Sequence, residues 1–148
     1  MSTEHFTVVL RGANLANQTL NDPADPFTLF NFNLNIPEST RFSKFKVAVV
    51  NFSVYSPAVT TQPILLMGNM TSNQTYEPRV NNVTVQPTSV LSMINPTTDS
   101  ITKINPQILT GTINRNYYFW LERIDGNKLL LGTDFTHFVA VISIEGLV

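Results

Sequence analysis

The residues that could perform chemistry are few. The chain has two histidines, His5 and His137. His137 follows Asp134 by three positions, and a Ser or Thr hydroxyl could complete a nucleophile–base–acid triad with them. Without further signal, His137 reads as an ordinary polar-face or loop residue. His5 sits in an N-terminal stretch of the kind that frays. The six glycines are scattered and form no G-x-G, so there is no phosphate-cradling loop. Cysteine is absent, which removes disulfides, thiol catalysis and sulfur-ligated zinc. Asp125-Gly126-Asn127 lacks the D-x-D-x-D-G spacing of a calcium loop and reads as a hairpin turn. Among ten acidic residues nothing singles out a pair for glycoside hydrolysis. The expectation is a non-enzymatic chain with no catalytic, cofactor-binding or metal-binding residues and no cofactor.

Amide and aromatic chemistry is more abundant. N-x-S/T triplets begin at Asn17, Asn51, Asn69, Asn73 and Asn82. They would suit a glycosylated outer loop from 69 to 82. A chain with 16 Asn, 18 Thr and 10 Ser also produces such triplets by composition. Asn31, Asn33 and Asn35 form a row that could hydrogen-bond a sugar or a neighbouring subunit, or could simply face solvent. Tyr117-Tyr118-Phe119-Trp120 puts large rings on both faces of its strand. One face packs into a core, and the other calls for a cover, either a loop or a partner chain.

The elements that position these residues follow from composition. The length of 148 residues suits one domain, residues 1–148. Charged residues are 13%, about half the usual share. Val, Ile and Thr number 42, against 6 Ala and 5 Glu, so strand formers dominate and the chain reads as all-β. With 9 basic and 10 acidic residues there is no polycationic surface for nucleic acid and no basic run for an anionic membrane. No apolar run approaches the roughly 18–20 residues of a membrane-spanning helix. Met1-Ser2-Thr3-Glu4-His5 does not read as a signal peptide. A surface poor in charge and rich in Asn and Thr does little to hold identical copies apart, and its amides and hydroxyls cost less to desolvate than charges do.

Period-two alternation marks the strands. It runs through Glu4–Arg11 and through Phe30–Ile36. In Lys44–Ser56 the phase of Phe45, Val47 and Val49 gives way to that of Val50, Phe52 and Val54, which is what a β-bulge at Val49/Val50 would produce, the alternative being a strand buried on both faces there. Shorter pieces are predicted at Ile64–Met67, Arg79–Val85, Ser100–Ile104 and Gln107–Ile113. Thr88–Asn95 carries Val90, Leu91 and Ile94 at helical spacing, which suggests one or two helical turns. The clearest strands are Asn116–Ile124, Lys128–Leu131 and Phe135–Glu145, the last with Phe138, Ala140, Ile142 and Ile144 on one face. Gly12–Pro26 reads as a long loop. Eight or nine short strands with no long helix predict a β-sandwich or barrel. For the turn at 125–127, a Gly126-Asn127 loop would pair Asp125 with Lys128 and Ile124 with Leu129. It avoids the like-charge pair of Arg123 and Lys128 that an Asp125-Gly126 loop would create.

The stretch Tyr118-Phe119-Trp120-Leu121-Glu122-Arg123-Ile124-Asp125-Gly126-Asn127-Lys128-Leu129-Leu130-Leu131, continued by Phe135–Glu145, resembles the closing strands of single jelly-roll capsid proteins. These are the penton and minor capsid proteins of large double-stranded DNA viruses. The resemblance implies an eight-stranded antiparallel jelly-roll sandwich that works in the virion as a ring, a homopentamer at an icosahedral vertex, beside other capsid proteins. It supplies no catalytic residues. The alternatives are a carbohydrate-binding or receptor-binding β-sandwich, such as a fibre head or lectin-like module, and a small β-fold enzyme.

Overall fold

The alternating segments pair into two sheets. The computed structural model describes residues 4–12, 18–21, 27–55, 62–70, 89–95, 100–102, 104 and 106–147. Among these residues the strands are β1 (Glu4–Arg11), β2 (Gln18–Asn21), β3 (Phe27–Asn33), β4 (Lys44–Tyr55), β5 (Ile64–Gly68), β6 (Ser89–Asn95), β7 (Ser100–Thr102), β8 (Gln107–Thr110), β9 (Asn116–Arg123) and β10 (His137–Leu147). A 3-10 turn, Pro37–Arg41, lies between β3 and β4. The four-stranded sheet has the order β1-β10-β4-β8, and the six-stranded sheet β2-β3-β9-β5-β6-β7. Every strand pairing is antiparallel. The fold is thus all-β and sandwich-like. No helix among the described residues is long and apolar enough to cross a membrane.

One core fills the space between the sheets. The four-stranded sheet contributes Leu10, Phe45, Val47, Phe52, Phe138, Ala140, Ile142 and Ile144. Phe30, Ile64, Leu66, Leu91, Ile94, Tyr117, Phe119 and Leu121 meet them from the six-stranded sheet. Phe138 presents its edge to Phe30 at 5.1 Å between centroids and to Phe52 at 6.3 Å, so aromatic contacts cross from sheet to sheet. The alternation predicted for the last strand is met residue by residue, with Phe138, Ala140, Ile142 and Ile144 all buried.

The bulge in β4 is also present. Val141 pairs with Asn51 and Ile142 with Val49, so Val50 is passed over and turns outward. A second bulge corrects a sequence expectation. Residues 89–95 form strand β6, with no helical turn. Leu66 pairs with Ser92 and Met67 with Val90, which skips Leu91. The extra residue lets both Leu91 and Ile94 reach the core, and a strand with a bulge then imitates helical spacing.

Other boundaries move for similar reasons. The segment 12–26, read as a loop, contains β2, a four-residue strand beside β3. Its sequence Gln18-Thr19-Leu20-Asn21 has no alternation to detect. Strand β3 starts earlier than expected and ends at Asn33. Beyond it, Asn114 substitutes for a strand partner: the Ile36 amide donates to Asn114 Oδ1 at 2.7 Å, and Asn114 Nδ2 donates to the Ile36 carbonyl at 3.0 Å. Residues 128–131 make only isolated bridges, Glu122 to Lys128 and Leu131 to Phe135. The strand expected at 79–85 lies outside the described residues.

The hairpin register also differs. The Arg123 amide donates to the Asn127 carbonyl at 2.8 Å, and the Gly126 amide to the Arg123 carbonyl at 2.9 Å. The loop is therefore Ile124-Asp125-Gly126, a turn closed by Gly126 at φ 94°, which a side chain would strain. The Asp125 carboxylate accepts from both the amide and the side chain of Asn127, at 3.0 Å each. Asp125 does not face Lys128. Lys128 stands opposite Glu122, so a three-residue loop avoids the clash with Arg123 by another route.

Two predictions follow from the core. The Gly12 amide donates to the Phe138 carbonyl at 2.9 Å, and a Cβ at Gly12 would overlap the buried Phe138 ring. Gly12→Ala should lower stability by about 1–3 kcal/mol in thermal or urea unfolding. Tyr117 is fully buried and donates its hydroxyl to the Ile113 carbonyl at 2.7 Å. Burial pushes its phenol above the ordinary value of 10.0, and Arg115 over the ring opposes this more weakly. Because the folded value is the higher, this contribution is complete below pH 10.0 and is lost as pH rises through the folded value. Tyr117→Phe should flatten the alkaline part of the stability–pH curve while costing about 1 kcal/mol near neutrality.

Candidate functional site

The residues with catalytic potential, Asp134 and His137, lie in the turn before β10 and at its first position. His137 opens β10 opposite Tyr55, and the two rings stack at 4.1 Å with 19° between planes. The Thr136 hydroxyl lies 3.3 Å from His137 Nδ1 and also 3.0 Å from the Tyr55 carbonyl, to which it donates. Asp134 is committed elsewhere. Its Oδ2 accepts from the Leu130 amide at 2.8 Å, and its Oδ1 lies 3.7 Å from Arg123. The carboxylate that would orient a triad histidine instead closes the 130–134 turn. His5 stands on the exposed side of β1, opposite Glu145. Among the described residues no group of three His, Asp or Glu side chains could hold a metal ion.

What this region does is join the sheets at one end of the sandwich. The Leu131 amide donates to Thr28 Oγ1 at 2.8 Å, and the Thr28 amide to the Leu129 carbonyl at 3.1 Å. The Thr136 amide donates to the Tyr55 carbonyl at 2.7 Å. The connection from β9 to β10 is thereby tied to β3 of one sheet and β4 of the other, with Phe135 sealed beneath it.

A comparison with protein-family models and with curated proteins found no match. The surfaces therefore have to be read by their chemistry.

The outer face of the four-stranded sheet exposes apolar residues: Val9 at 43%, Val50 at 60% and Ile108 at 44%. Val9 stands opposite Val141, and Val141 opposite Asn51 beside the bulge. Thr7 faces Ser143, which faces Ala48. The middle of this face is free of charge, and exposed Arg11, Lys44 and Lys46 stand towards its ends. Ile108 stands directly opposite Lys46, whereas Val9 and Val50 border the uncharged middle.

The outer face of the six-stranded sheet differs. Trp120 and Met67 form a second apolar cluster there with Leu29, Leu65 and Val90. Trp120 Nε1 donates to Glu122 Oε1 at 2.8 Å, and Glu122 is only 6% exposed. Of the loop and the partner chain expected as cover for Trp120, the chain's own residues suffice, since Trp120 is only 8% exposed within the single chain. Sequence reasoning missed the buried Glu122, because nothing local distinguishes it from a surface acid. Tyr118, in contrast, stays exposed. Asn31 and Asn33 of the predicted row lie on this outer face, while Asn35 falls beyond the strand. Of the N-x-S/T positions, Asn51 is exposed on β4, and Asn69 Oδ1 accepts from the Tyr118 amide at 2.9 Å. Asn17, Asn73 and Asn82 lie outside the described residues.

These placements separate structural from chemical roles. Asp134→Ala removes the acceptor of a partly buried amide and should cost about 1–3 kcal/mol in denaturant unfolding. His137→Asn, at a half-buried ring, should leave any biological role of the chain intact; loss of a turnover activity with the fold preserved would contradict the structural assignment.

Proposed function

We propose that this chain is a non-enzymatic structural protein of a virion: a single jelly roll that assembles as a ring, a pentamer at a capsid vertex, or takes a minor capsid position. The observation that carries this reading is the strand order. Taking β2 and β7 as added edge strands leaves two four-stranded sheets, β1-β10-β4-β8 and β3-β9-β5-β6. Each sheet mixes strands from both halves of the chain, and the chain crosses repeatedly from one sheet to the other. This is the order expected when a long antiparallel hairpin is rolled into two Greek keys. The closing strands that resemble capsid proteins are β9 and β10, which lie inside these sheets and away from their edges.

Assembly is supported by the surface. Val9, Val50 and Ile108 are exposed on a face whose centre lacks charge, and the chain as a whole has a net charge of only -1. A ring of five requires a heterologous contact, with two different patches meeting head to tail. A contact of valine, Asn and Thr should respond weakly to salt, because few ion pairs contribute.

The test is made on particles. Mass spectrometry of purified virions should find this chain, and a reconstruction should place it around a rotational axis. Its absence from particles, or a position away from every axis, rejects the vertex assignment.

A further inference from the structure

The outer face of the six-stranded sheet carries a second kind of surface, distinct from the exposed apolar residues of the four-stranded sheet. Tyr117 and Phe119 point into the core, so Tyr118 and Asn116 point outward. Phe30 and Phe32 pack on the core, so Asn31 and Asn33 share that outer face. The register sets Asn31 opposite Tyr118 and Asn33 opposite Asn116. On the other flank, Asn69 follows the end of β5. Its amide donates to the Tyr118 carbonyl at 3.3 Å, and its Oδ1 accepts from the Tyr118 amide at 2.9 Å. Four asparagines therefore neighbour Tyr118 on this side of the sheet. Tyr118 is 40% exposed, and Asn33, Asn69 and Asn116 are exposed as well.

We propose that this patch binds a neutral oligosaccharide, with Tyr118 as the platform. Three properties select that ligand. Among the described residues the patch holds no acid or base, so a charged ligand would find no counter-ion in them. The ring offers an apolar face of the size of one sugar ring, whose C–H groups can lie against it. The exposed carboxamides of Asn33 and Asn116 offer both donors and an acceptor, and that of Asn69 offers its donors, which matches hydroxyls that do both. A second protein copy would have to bury these amides and supply a partner for every one of their polar atoms.

Asn31 adds a further observation. Its Oδ1 is buried and makes no hydrogen bond. A buried acceptor without a partner is costly, and this amide has no bond at that atom to lose by turning towards an incoming hydroxyl. Binding would supply the missing donor. The exposed apolar residues Val9, Val50 and Ile108 lie on the other sheet.

One stacked ring with a few amide bonds should give a dissociation constant of about 1 mM. The test is an NMR titration of the isotope-labelled full chain with lactose, maltotriose, mannotriose and chitotriose. At least one of these should shift the backbone resonances of Asn31, Asn69 and Tyr118 in a saturable way. Tyr118→Ala should weaken that binding by about tenfold or more, whereas Tyr118→Phe, which keeps the ring, should retain it to within a few-fold. Asn33→Ala, at an exposed position, should weaken it several-fold and serves as the test if Tyr118→Ala fails to fold. The proposal is overturned if none of the four saccharides shifts these resonances, or if binding survives Tyr118→Ala with the fold intact. It is also overturned if sedimentation shows that Tyr118→Ala abolishes self-association, which would make this face a contact between copies.

Discussion

Phe138 is the contact on which the rest of the structure rests. It projects from β10, which lies between β1 and β4 in the four-stranded sheet, and its ring reaches Phe30 of the opposite sheet. Phe52 and Phe135 pack beside it. Each sheet alone would leave an apolar face in water, and only their mutual burial makes either stable. Truncating one buried Phe typically costs roughly 3–5 kcal/mol, a large part of a domain's roughly 5–15 kcal/mol. Around this ring the backbone is closely packed. Gly12 lies against it because no side chain fits there.

The two bulges decide which side chains face outward. Without the extra residue at Val50, a single phase along β4 could not bury both Val47 and Phe52. With it, both halves of the strand feed the core and the surplus valine is delivered to solvent. The bulge at Leu91 does the same work in β6, except that the extra residue is itself buried. The core of this protein is therefore filled partly by breaking strand regularity. One product is an exposed apolar residue, Val50, on the outer face of the four-stranded sheet.

The two outer faces divide the chemistry between them. Valine, alanine and small hydroxyl residues line the centre of the four-stranded face, where apolar contact is the available interaction. The six-stranded face buries Trp120 with its Glu122 acceptor and leaves Tyr118 among amides.

The sequence by itself determined the all-β class, the burial phase of β10 and the break of phase in β4. These are local properties, because the side-chain period of a strand is visible within a few residues. It did not reveal β2, whose residues owe their strand conformation to β3. Nor did it separate a bulged strand from a helical turn at residues 89–95, since both place Leu91 and Ile94 on one side. The catalytic prospect of Asp134 and His137 was legible as a spacing, and only the fold showed the carboxylate capping a turn and the imidazole stacking on Tyr55. The hairpin loop required the tertiary structure as well, because residues 122 and 128 could be paired through more than one turn length. Tertiary structure decided which strands became neighbours and which amides flank Tyr118. Those choices depend on bonds such as Leu131 to Thr28, across 103 residues, and no local pattern encodes a partner that far away.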